Sequence, residues 1–159
     1  MSFDDWILAL HALSAFALVA AMVLFWILIV VMRNVDTASE TLAYGRVATL
    51  GNRFVIVGVL GTLVFGIWLA ISLDAYQLRD GWIIAAIVLW AAASGAGART
   101  GTEYTKAMTK AEELHAAQQE GQPGELRALN RTSAGLKMHA LSSVLVVLVL
   151  IDMIWKPGA

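Results

Sequence analysis

"LALHALSAFALVAAMVLFWILIVVM", residues 8–32, decides the fold. It carries no Asp, Glu, Lys or Arg, and roughly 20 apolar residues suffice to cross the hydrocarbon core of a bilayer. A backbone in lipid must satisfy its own polar groups, so the segment has to be helical. A secretory signal has an apolar core of only about 7–15 residues behind a basic start. Here the start is the acidic "MSFDDW" and the apolar run is much longer. The segment therefore stays in the chain as a membrane helix, and it carries a single ionisable side chain, His11.

Three further stretches read the same way, so the expected spans are about 6–32, 54–72, 82–98 and 138–155. The composition agrees. Of 159 residues 59% are hydrophobic and 14% charged, where a soluble domain carries about 25% charged. The mean hydropathy is +0.72. The net charge of −1 offers no basic surface for nucleic acid. With no cysteine, disulfides, thiolate metal sites, iron–sulfur clusters and c-type haem attachment are excluded. The reading is one all-α domain over residues 1–159, an integral membrane four-helix up-down bundle embedded in lipid.

The basic residues orient it. Nine of the eleven Lys and Arg fall in the connections after the first and third helices, and only Arg79 and Lys156 fall on the other side. This positive-inside bias puts both termini outside the cell (inner or plasma) membrane and makes the 99–137 connection cytoplasmic. Trp6, Trp68, Trp82 and Trp155 then lie near the outer interface, where amphipathic indoles are favoured.

Before the second helix, "TASE" (Thr37–Glu40) fits a capping box, which predicts a helix start near Ala38. The one long polar stretch, "TEYTKAMTKAEELHAAQQEGQPGELRALNRTSAG", has Tyr104, Met108, Ala111 and Leu114 at helical spacing. Glu103/Lys106 and Lys110/Glu113 are i,i+3 pairs. With "EGQPG" (120–124) as breaker, it predicts a cytoplasmic helical hairpin between the third and fourth helices. The third helix would run to about residue 119, and the fourth would run unbroken from about Glu125. In "GVLGTLVFG", Gly58, Thr62 and Gly66 form a small-residue stripe of the kind that lets helix backbones approach closely. Ala91 and Gly95 form a similar one on the third helix.

An ionisable residue inside a span is costly and marks a site by default. His11, His139 and Asp152 are the three. With a rise of 1.5 Å per residue, His11 lies roughly 8–9 Å below the outer boundary and Asp152 about 5–6 Å below it. If the first and fourth helices are neighbours, these two form a polar pair. Met153, at a similar depth, is the alternative partner and would make His11/Met153 the ligands of a b-type haem. His139 belongs to the inner end, with Asn52, Arg53 and Arg99, within reach of water. It stands on the order of 15 Å from His11 along the membrane normal, too far to share one haem. Ser14 lies beside His11, but no nucleophile elbow or oxyanion loop accompanies it. No metal cluster and no catalytic set is legible.

With its histidine in "LHALSAFALVAAMVLFWILI", its tryptophan-flanked four-helix pattern and its ending "LIDMIWKPGA", the chain resembles an uncharacterised family of small bacterial integral membrane proteins. That family is distantly similar to copper-resistance D-type proteins and to small haem-linked protoporphyrinogen oxidases. The resemblance implies a four-helix membrane fold with a functional helix-one histidine, His11 here. Two functions follow. The first is a membrane subunit or scaffold whose partner, another protein or a second copy, docks on the hairpin or on the Gly58/Thr62/Gly66 face. The alternative is a haem-binding redox or porphyrin-handling protein with His11 as axial ligand.

Overall fold

The computed structural model describes residues 2–73, 77–119 and 124–157. Its elements are all helices: α1 (Phe3–Met32), α2 (Ala38–Ser72), α3 (Gly81–Ala116), α4 (Gly124–Asn130) and α5 (Ser133–Trp155). α1, α2, α3 and the α4–α5 stretch are each long and apolar enough to cross a membrane. Large apolar side chains such as Leu13, Phe16, Ile27, Val57 and Val144 point outward, an exterior suited to lipid rather than water.

Local chemistry sets the helix starts. Ser2 caps α1 through a reciprocal box with Asp5. Thr37 Oγ1 accepts from the Glu40 amide at 3.2 Å, and α2 begins at Ala38 as expected. The Glu40 carboxylate reaches back to the Asp36 amide and the Thr37 hydroxyl rather than to the Thr37 amide.

The helices associate as two antiparallel hairpins, α1 on α2 and α3 on α5, joined along α2 and α3. The polar pair of His11 and Asp152 depends on the first and fourth helices being neighbours, as in a closed four-helix bundle, but α1 and α5 meet only narrowly. Glycine is the reason. A Cβ at Gly58 would stand 2.8 Å from the Leu18 backbone nitrogen, one at Gly51 would stand 2.9 Å from Leu24 Cδ2, and one at Gly61 would overlap Ser14. These positions step along α2 while their partners step back along α1, so the two helices pack closely over most of their length, backbone on backbone at Gly58. In lipid such packing, rather than exclusion of water, holds helices together. Ser72 Oγ donating to Asp4 Oδ1 at 2.9 Å closes the far end. The second stripe finds no such use, since Gly95 has nothing within 4 Å and Ala91 is exposed.

Beyond the apolar region, the first turns of α2, the last turns of α3 and α4 form a small head. Ala38, Ala111, Leu114 and Leu126 are its core. Inside it Asn130 Nδ2 donates to Thr41 Oγ1 at 3.0 Å. Lys110 bridges Glu113 at 3.2 Å and Glu125 at 3.1 Å, tying α3 to α4. The expected single helix from Glu125 onward is divided. α4 stops at Asn130, whose side chain is taken by Thr41, and Thr132 opens α5 by accepting from the Gly135 amide. Most of the expected "EGQPG" breaker, residues 120–123, lies outside the described residues.

Candidate functional site

At the end opposite the head, His11 is half-buried. Its Cε1 would stand 3.0 Å, and its Nδ1 3.3 Å, from a Cβ at Gly66. The Thr62 hydroxyl donates to Gly58 O at 2.7 Å. Gly58, Thr62 and Gly66 therefore receive α1, and the absence of a side chain at Gly66 gives His11 its seat. Ser14 donates to the Leu10 carbonyl at 2.7 Å.

The expected hydrogen bond between His11 and Asp152 is not formed. His11 Nδ1 and Asp152 Oδ2 are both buried, and neither has a hydrogen-bond partner among the described residues. Asp152 is in the last turn of α5, and Met153 packs against Ala70, Trp82 and Ile83. Lys156 stands over the Trp82 ring, 5.5 Å from its centroid. Trp6, Trp68 and Trp155 are exposed at this end, whereas Trp82 is buried.

Met153, the second candidate haem ligand, packs in another cluster, and the cavity described below includes neither it nor His11. Among the described residues no group of three or more His, Cys, Asp or Glu could hold a metal ion.

The inner end holds the better-built site. His139, expected to reach water, is only 6% exposed. Its Nε2 lies 3.3 Å from the Met22 carbonyl oxygen, and the Trp26 ring stands edge-on at 4.9 Å between centroids. Trp26 Nε1 donates to Ser143 Oγ at 2.9 Å, and Ser143 Oγ donates to the His139 carbonyl at 2.8 Å. This half-buried node joins α1 to α5 where they meet. It escaped sequence reasoning because Trp26 and Ser143 are 117 positions apart and no local spacing announces the contact.

We expect Trp26→Phe and Ser143→Ala each to lower stability by about 1 kcal/mol. The double variant should lose little more than either single one. Thermal unfolding of all four proteins in one detergent checks this, and strict additivity would show the bond to be idle.

The inner-end group expected from sequence separates. Arg53 and Arg99 are exposed, while Asn52 and His139 both line a cavity of about 170 Å³ between the hairpins.

A family model, "Predicted integral membrane protein (DUF2269)", matches residues 5–157. The chain belongs to that family. No curated protein and no solved structure is significantly similar to it. Family and fold thus agree on an integral membrane protein built from four apolar spans.

Proposed function

We propose that this member of the family is a plasma-membrane subunit or scaffold, a single domain with both termini outside and its helical head in the cytoplasm. The head carries the reading. At one end of a lipid-facing bundle, α2, α3 and α4 build a polar platform with a core and internal bonds of its own. The positive-inside bias supports a cytoplasmic side for it. Since α1 occupies the Gly58/Thr62/Gly66 face, docking of a partner protein or second copy falls to the head.

One labelling experiment tests both parts, and the absence of native cysteine makes it clean. Cysteine at Gln119 should resist an impermeant thiol reagent in intact cells and react in inside-out vesicles, and cysteine at Gln77 should do the reverse. Cysteine at Glu112, on the exposed side of the head, should react several-fold more slowly in native vesicles than in the purified protein. The opposite sidedness would overturn the topology, and equal rates at Glu112 would overturn the docking.

A further inference from the structure

We infer that the cavity between the two hairpins is a binding site for a small neutral lipophile carrying a hydroxyl donor, of the alkylphenol class, taken up from the bilayer. The inference is independent of the docking role of the head.

Size comes first. The cavity measures about 170 Å³, and an engineered apolar cavity of about 150 Å³ stays dry and binds benzene. One ring with a small alkyl group fits, and a porphyrin does not. The walls are predominantly apolar and come from both hairpins, with Leu18, Met22 and Phe25 on α1, Val55 on α2 and Val146 on α5. Met32 and Met108 also line it, and flexible thioethers adapt to a guest better than branched side chains do.

Polarity then selects the guest. Thr100 and Ser142 line the cavity, but their hydroxyl protons are spent on the Ala96 carbonyl at 3.1 Å and the Ala93 carbonyl at 2.9 Å. His139 faces a carbonyl, which only accepts, so its proton sits on Nε2. In the neutral ring Nδ1 is then left as an acceptor. What these three wall residues have left to offer is acceptor capacity, so the complementary guest brings an O–H. Tyr44, Asn52 and Tyr104, which keep their own donors, line the end toward the head, where Tyr44 and Asn52 are exposed and Tyr104 is half-buried.

The test uses the full chain in lipid nanodiscs and a phenol bearing a small diazirine as photolabel. Label should appear on cavity residues of both hairpins, such as Met22 and Val146. It should be displaced by 4-methylphenol at about one-tenth the concentration needed of its methyl ether, which keeps the shape and loses the donor. His139→Phe should remove that difference. Ala48→Leu, at a lining position, should cut labelling about tenfold without lowering the unfolding temperature. If that variant does not fold, Gly101→Leu replaces it, because a Cβ there meets nothing within 4 Å. Label confined to outward residues such as Leu13 and Phe16, or indifferent to competitor and filling variants, would mean partition into lipid only and overturn the site. Equal competition by phenol and ether would overturn the hydroxyl recognition.

Discussion

Gly58→Leu is expected to lower stability by about 3 kcal/mol or more and to part α1 from α2. The atoms a new Cβ would meet are the backbone nitrogen of Leu18 at 2.8 Å and its Cα at 2.9 Å. Backbone cannot rotate away, so the helices must separate, and every contact along the hairpin weakens with distance. Overpacking typically costs 1–3 kcal/mol, and here the separation also removes the close approach on which helix association in lipid depends. A gradation should follow from what each glycine touches. At Gly66 the nearest atom belongs to the end of the His11 side chain, which can move, so Gly66→Leu should cost less. At Gly95 nothing lies within 4 Å, so Gly95→Leu should leave stability unchanged or raise it by about 0.5–1 kcal/mol, the usual helix penalty of glycine. Unfolding temperatures in one detergent, with the three variants side by side, check the order. An unchanged midpoint for Gly58→Leu would show that α1 does not pack there.

Leu126→Ala should release α4 from the head while leaving the spans folded. Leu126 is 0% exposed, packed among Ala38, Ala111 and Leu114. Truncating a buried leucine costs about 2–5 kcal/mol. α4 has seven residues, and isolated helices shorter than about 12–15 residues are marginal in water. The loss therefore falls on local opening rather than on the whole bundle. Trypsin cleavage after Arg127 and Arg131 should accelerate more than tenfold, with the unfolding temperature of the membrane helices nearly unmoved. Cleavage at the parent's rate would mean that α4 is held by the Lys110–Glu125 bridge and the Asn130–Thr41 bond instead.

Individual residues show how far sequence reasoning reached into the fold and the site. The start of α2 at Ala38 was legible because Thr37 and Glu40 are three positions apart and cap locally. The ion pairs Glu103–Lys106 and Lys110–Glu113 were legible for the same reason. The break after Asn130 was not, because the Thr41 that claims its side chain is 89 positions away. His11 was found as the polar intrusion in an apolar run, but its companion was assigned by depth alone. Depth counts residues from a boundary and says nothing about which helix stands alongside. His139 was given to the interface by the same count, and the cavity it lines draws its walls from four helices.

The sequence by itself determined the lipid environment and the four helical spans, and its charge asymmetry supplied an orientation. These properties depend on hydropathy, local hydrogen bonding and charge counted along the chain. Only the tertiary structure decided that α1 pairs with α2 through glycine, that His11 rests on Gly66 rather than bonding Asp152, and that His139 faces a cavity with Trp26 behind it. Helix pairing inside a bilayer turns on which small residue meets which backbone across the whole chain, and steric fit between distant segments leaves no periodic trace in the sequence.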